Sequence, residues 1–421
     1  MSRLFQLALL LVVSAAVHAQ SYRQLYAEAE KSYKEKDYAH FYEKIKEANA
    51  LHPYHQDILY RLGAACALTG RNDEAMTALR KAILINSRYD LTSNQDLASL
   101  RTLPGWKPLM ELQKEWSKPV IRSKEAFRIK DRQLHAEGIA LDILNNQFYL
   151  GSIHKRKIVK VDGNLMAADF CPGGIEGLSS VFGVQLDVHR NLLWACSSPM
   201  REMEQFDSTA RSALYKFDLA TGRLLEHFPV PENYKEVIFG DLLLDAEGVP
   251  LVSDSRNNII WRLDQSQKSL EPFFTSKDFW NIQGLAYSAD GRFLFVADYI
   301  KGVFRLDLNS KDLLLLPCQA EVSLKGIDGL YVYGNTIIAI QNGVAPQRVT
   351  QYYLSDDAGA ITRFEIIDRA HPDFGEPTLG VLRGNEFYYI ANSQWEGYTE
   401  SGTIKEPSEL KDIIVLKTKL K

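Results

Sequence analysis

The sequence predicts a two-part α + β chain, with a short helical domain followed by an all-β propeller of six blades. Three observations predict it. A helical pattern near the start recurs at an offset of 34 residues. After Pro119, short β-rich runs alternate with Gly, Asp and Asn turns. Six paired runs of this kind then follow one another at spacings of 45, 58, 43, 45 and 48 residues. A chain of 421 residues has room for both parts, and 46% hydrophobic with 24% charged residues is a globular balance. The net charge of -4, with no basic stripe, argues against a nucleic-acid partner. Cys66, Cys171, Cys196 and Cys318 are too few and too scattered for a disulfide scaffold or a zinc pattern, and a single pair among them is left open.

Residues 1–19 read as a secretory signal. Arg3 supplies the positive start, residues 7–13 an apolar run, and Val17-His18-Ala19 a small-residue cleavage pattern before Gln20. The run is shorter than the roughly 20 apolar residues a membrane span needs. No Cys follows it to carry a lipid, and no later segment is apolar enough to cross a bilayer. The expectation is an exported protein, periplasmic or secreted, with no membrane span after cleavage.

Residues 20–120 form the helical domain. Ile45, Ala48 and Pro53 recur as Leu79, Ala82 and Ser87. The second copy holds Leu59, Leu62-Gly63, Ala75, Leu79 and Ala82, where small residues let paired helices approach closely. This resembles the tetratricopeptide repeat family over two copies, the first degenerate. The resemblance implies a groove for a protein partner, and the alternative is a packing spacer. The amphipathic stretch 91–116 caps the copies, interrupted by Pro104 and ended by Pro119.

Residues 121–421 form the propeller. The six first strands open at Glu137-Gly138, Phe182-Gly183, Gly240-Asp241, Gln283-Gly284, Asp328-Gly329 and Glu376-Pro377. The returning strands lie at 148–150, 192–195, 251–253, 293–297, 337–340 and 387–391. The last copy runs out of chain after 412–417, so residues 126–130, ahead of the first copy, are expected to supply its outer strand and close the ring.

In such a ring the residues that open the first strands and end the second strands converge on one central mouth. That geometry selects Glu137, Phe182, Gly240, Asp241, Gln283, Asp328 and Glu376, together with Ser152, His154, Ser197, Asp254, Asp298, Gln341, Asn342 and Asn392. Several acid and amide oxygens around one axis suit a hard cation, which takes six to eight oxygen ligands. The alternative is that these side chains cap turns and bond backbone amides. His154 reads either as a proton shuttle or as a surface residue. Trp395 and Tyr398 stack on a flat ligand such as a sugar, or pack under a loop.

The motifs Glu137-Gly138-Ile139, Gly240-Asp241-Leu242, Gln283-Gly284-Leu285-Ala286 with Asp290-Gly291-Arg292, and Asp328-Gly329-Leu330 resemble the senescence marker protein / gluconolactonase / luciferin-regenerating enzyme family. The resemblance covers residues 127–421. It implies one divalent cation, calcium, on the propeller axis and hydrolysis of lactones. Carried over residue by residue, it implies metal ligands Glu137, Gln283 (an Asn in the family) and Asp328. Gly240 stands where the family has a further Asn ligand, and Asp241 is the candidate to replace it. Asp328 is the implied base, with Glu137 sharing that duty. His154, Asp298, Asn342, Glu376, Asn392 and Trp395 are the candidate substrate-binding residues. The expected function is an exported metal-dependent hydrolase of lactones or related esters, acting on a small lactone, ester or sugar-like ligand. The alternative is a non-catalytic ligand- or protein-binding propeller. No nucleophile elbow, zinc helix or phosphate loop competes with these readings.

Overall fold

The computed structural model describes residues 21–53 and 55–421. The expected signal, 1–19, lies outside the described residues. The chain divides into two compact units between Ser117 and Lys118.

The first unit is helical: α1 (Tyr22–Lys34), α2 (Tyr38–Leu51), α3 (Gln56–Leu68), α4 (Asn72–Ile85) and α5 (Trp106–Ser117), with a 3-10 segment at Gln95–Leu100. Ser21 caps α1 in a reciprocal box with Gln24, and Asp37 caps α2 through the His40 amide. α1 and α3 begin 34 residues apart, as do α2 and α4, so the sequence period is a period of helix pairs. Phe41, Ile45, Ala64, Ala75 and Leu79 form part of the core between them. A Cβ at Gly63 would lie 2.6 Å from Leu79 Cδ2, so glycine is what lets α3 close on α4. Arg61 of α3 reaches Glu30 of α1 through two hydrogen bonds of 2.7 and 3.0 Å.

The second unit is the six-bladed propeller, six four-stranded antiparallel sheets. The inner strands are Ala136–Asp142, Ser180–Asp187, Phe239–Leu244, Ile282–Tyr287, Ile327–Tyr333 and Gly380–Arg383, in blades 1 to 6. Blade 6 takes its outermost strand, Lys124–Ile129, from ahead of blade 1, paired with Ile413–Lys419. The ring is thereby closed as expected, and blade 6 gains the strand its own sequence lacks. Five apolar clusters each straddle two neighbouring blades, so the core lies between blades rather than within them. The four cysteines are free thiols. Among the described residues, no helix is long and apolar enough to cross a membrane.

One irregularity recurs where the inner strands open. In blades 1 to 5 the pairing of the first and second strands slips between residues 136 and 139, 181 and 184, 239 and 242, 282 and 285, and 327 and 330. A bulge re-aims the side chain it carries. It falls each time on the dipeptide that opens the sequence repeat. The second residue of that dipeptide is glycine in four blades because the next inner strand is so close: a Cβ on Gly138 would stand 2.0 Å from Phe182 O.

Candidate functional site

In blades 1 to 5 the bulges turn the first residue of each dipeptide toward the axis. Glu137, Phe182, Gly240, Gln283, Asp328 and Glu376, one from each blade, line a cavity of about 180 Å³. Ile238, Phe239, Ser255, Tyr299, Asn342 and Trp395 complete its wall. No Lys, Arg or His is among these residues. Larger concavities lie at the propeller surface, and each of them is lined by at least one Lys or Arg.

Three carboxylates thus face one small space. Glu137 is buried, and its Oε2 accepts hydrogen bonds from Ser393 Oγ (2.6 Å) and Trp395 Nε1 (3.3 Å). Asp328 Oδ2 accepts from Asn342 Nδ2 at 2.8 Å, and Asn342 Oδ1 accepts from the Tyr299 hydroxyl at 3.0 Å. Glu376 sits at φ 71°, a left-handed conformation that a residue with a Cβ adopts at a cost. Its N–H donates to Gln347 Oε1 and its carbonyl accepts from Ser393 N. In blade 6 this held conformation, followed by Pro377, does what the bulge does elsewhere.

Burial removes the water these anions would have, and they repel one another. Glu137 is pushed well above the usual carboxylate range by burial first and by the Asp328 charge second. Asp328 is raised by burial to about 6, against the pull of Asn342. Burial and then Asp328 raise Glu376 to about 7. His135 packs edge-on to Trp395 with ring centroids 4.5 Å apart, and burial holds it down at about 3, so it stays neutral. The protein brings no cation of its own to the mouth.

Gln283 answers the missing side chain at position 240. Its Nε2 donates to Asn281 Oδ1 at 2.8 Å. Its Oε1 stands 2.6 Å from where a Gly240 Cβ would be, so the longer amide reaches into the space the glycine leaves. Asp241 does not fill that role. It occupies the position that is glycine in four other blades, and its carboxylate accepts from the Leu242 amide (2.8 Å) and from the Leu285 amide of blade 4 (3.2 Å). It joins two inner strands behind the wall, and burial lifts it to about 7.

Most second-strand ends hold backbone instead of facing the axis. Asp298 accepts from the amides of Trp280, Asn281, Ile300 and Lys301. Asp254 does the same for Ile238, Arg256 and Asn257. Ser152 bonds Leu134 O, Ser197 accepts from Ser179 N, and Gln341 donates to the carbonyls of Ser323 and Lys325. The shared task is to clamp the segment that leads into each blade's inner strand. Asn392 bonds Asp412 O and Ile414 N within blade 6. His154 Nδ1 lies 2.6 Å from Glu202 O, tied to the insertion that follows the second strand of blade 2. Among the candidate substrate-binding residues, Asn342, Glu376 and Trp395 therefore reach the cavity, while His154, Asp298 and Asn392 do not.

The sequence reading did not single out Tyr299, Ser393 or His135. Tyr299 follows Asp298 directly, so one more residue along the blade 4 turn finds it. Ser393 follows Asn392 in the same way, and His135 stands two residues before Glu137, as Ile238 and Asn281 stand before Gly240 and Gln283 in blades 3 and 4.

Among the described residues, no three His, Cys, Asp or Glu side chains close on a common point as metal ligands. Their donor chemistry nevertheless suits a hard divalent cation: oxygen atoms only, buried anionic charge, and no basic side chain to compete.

No protein-family model and no curated protein matches the chain. It is similar to several solved structures. A gluconolactonase from Xanthomonas campestris is 13% identical with a TM-score of 0.48, over 72% of this chain and 95% of that one. A luciferin-regenerating enzyme is 14% identical with a TM-score of 0.49, over 72% and 96%. Regucalcin, a calcium-binding protein from Agrobacterium tumefaciens, is 12% identical with a TM-score of 0.49, over 70% and 93%. At these identities the chemistry has to be read from the site itself.

Proposed function

We propose that the propeller is a cation-dependent hydrolase of lactones or related esters, with its reaction site in the axial mouth. One observation carries this: Glu137, Asp328 and Glu376 line one cavity at the axis with no basic side chain among its lining residues, and Glu137 is buried. Such a set is costly to keep unless a cation binds there or a raised pKa is put to use.

Glu137, Asp328 and the Gln283 amide oxygen would hold the cation, with Glu376 beside them. A bound divalent ion supplies Lewis-acid polarisation of a carbonyl oxygen. The chain's own groups do the rest. Asn342 and Tyr299 fix one oxygen of Asp328, and the other has no protein partner among the described residues. In this reading that oxygen takes a proton from a water molecule, and a carboxylate raised toward neutrality is a better base than an ordinary one. Ser393 and Trp395 fix Glu137, two blades round the axis from Asp328.

The test is thermal unfolding with added calcium, on the protein and on Asp328→Ala, followed by lactone hydrolysis under the same conditions. A calcium-dependent rise that the substitution abolishes, together with turnover, is expected. The absence of both with calcium, magnesium, manganese and zinc would remove the hydrolase. A stabilising rise without turnover would favour a non-catalytic binding mouth. That second reading is supported by the engagement of Glu137 by two protein donors.

We extend the proposal to export, on the strength of Arg3, the apolar run 7–13 and Val17-His18-Ala19. N-terminal sequencing should find a chain starting at Gln20, and an intact Met1 would overturn it. The 34-residue recurrence of helix pairs supports a partner-holding role for the helical unit. Cross-linking of the exported protein tests this, and adducts confined to the propeller would remove it.

A further inference from the structure

The wall of the mouth is of two kinds. Passing round the axis, blades 4, 5, 6 and 1 present Gln283, Asp328, Glu376 and Glu137, while blades 2 and 3 present Phe182 and Gly240. Phe182 belongs to an apolar cluster with Phe239, against which Ile238 and Trp395 pack, and all four residues line the cavity. Ser255 is the one hydroxyl on this side, and it donates to Ile238 O. Blades 4, 5, 6 and 1 thus offer charge and hydrogen bonds, and blades 2 and 3, with Trp395 of blade 6, offer hydrocarbon and rings.

A ligand spanning the cavity meets both arcs. A sugar lactone carries hydroxyls around its whole ring. Those turned toward Phe182 and Ile238 would lose water and find no partner, which costs binding. A ring with methylenes on that side loses nothing there. The mouth, of about 180 Å³ and open to solvent, has room for one such ring.

We infer that the substrate is a small monocyclic lactone with an apolar ring, its methylenes against Phe182 and Trp395 and its ester group toward the carboxylates. Phe182 is then the residue that sets specificity. This rests on the hydrolase reading above.

The experiment compares δ-valerolactone with glucono-δ-lactone, using the full protein with calcium and subtracting spontaneous ring opening. The expected result is a kcat/KM at least about tenfold higher for δ-valerolactone, the size of discrimination an apolar pocket delivers. Phe182→Asn should erase that preference chiefly through KM, and Phe182→Leu should keep it. If the unmodified protein prefers glucono-δ-lactone, the inference is overturned while the hydrolase reading stands. If Phe182→Asn keeps the preference, Phe182 is not its source and the inference is equally overturned. If neither lactone is opened with calcium, magnesium, manganese or zinc, the hydrolase reading itself falls and takes the inference with it. The comparison on the unmodified protein decides the matter even if Phe182→Asn does not fold.

Discussion

The mouth and a second polar site in blade 5 both gather polar side chains inside the propeller, and they are built on opposite terms. In blade 5, Gln341 Oε1 accepts from Arg348 Nε, Thr350 Oγ1 and the Tyr352 hydroxyl, while its Nε2 donates to two carbonyls. Arg348 and Tyr352 each add a bond to Ser323 O. Every polar atom of Gln341 is used, and the network locks the blade. At the mouth, three carboxylates share one cavity with neutral donors and no opposing charge. Burial of polar groups is common to both sites. What separates a structural network from a candidate reaction site is whether the buried charge finds its partner within the chain.

Four changes probe that contrast, from the largest effect to the smallest. Asp328→Asn keeps the bulk of the side chain and removes the base. Lactone turnover should fall by about 10²–10⁴-fold with circular dichroism unchanged, and near-normal turnover would take Asp328 out of the chemistry. Gln341→Leu acts in the other region. It strips Arg348, Thr350 and Tyr352 of a shared acceptor and should cost about 3 kcal/mol, read as a lower urea midpoint, with turnover per folded molecule unchanged. A variant as stable as the parent would contradict the structural role.

The third probe is the cation. At a hundredfold excess over its dissociation constant, calcium should add about 2.7 kcal/mol of stability. Glu137→Gln should lose most of that gain, and Gln341→Leu should keep it. Equal gains in both variants would place the ion outside the mouth.

The fourth probe is pH. Glu376 is raised in the folded state to about 7, so the folded form holds its proton where the unfolded chain has already released it. The stability this gives is fully present below the unfolded value of about 4.3 and is lost as pH rises through 7. With chelator present, Glu376→Gln should therefore melt higher than the parent at pH 8, and the difference should close toward pH 4. Parallel melting profiles from pH 4 to pH 8 would show that Glu376 is not buried among like charges.

The sequence carried the repeat and much of the mouth because both depend on local regularity. Six dipeptides in register mark five bulges and the left-handed turn at Glu376, and these decide which side chains meet at the axis. Glu137, Gln283, Asp328 and Glu376 were legible for that reason, as was the strand 126–130 that completes blade 6. Asp241 was harder to read. Gly240-Asp241 reverses the usual order of side chain and glycine, and only coordinates show its carboxylate on the Leu285 amide. Asp298 and Asn392 were hidden for another reason. A carboxylate or amide at a strand end looks the same in sequence whether it faces a ligand or bonds backbone. Trp395 was seen as a flat surface for a ligand, but its bond to Glu137 depends on a connection present only in blade 6.

The borrowed strand of blade 6 also fixes the order of events when the chain folds. Lys124–Ile129 leaves the ribosome long before Ile413–Lys419, the strand it must pair with. Without that pairing blade 6 lacks both outer strands and the ring is open. Closure between segments so remote in sequence is slow and comes late. The candidate site is therefore complete only once Ile413–Lys419 has paired with Lys124–Ile129.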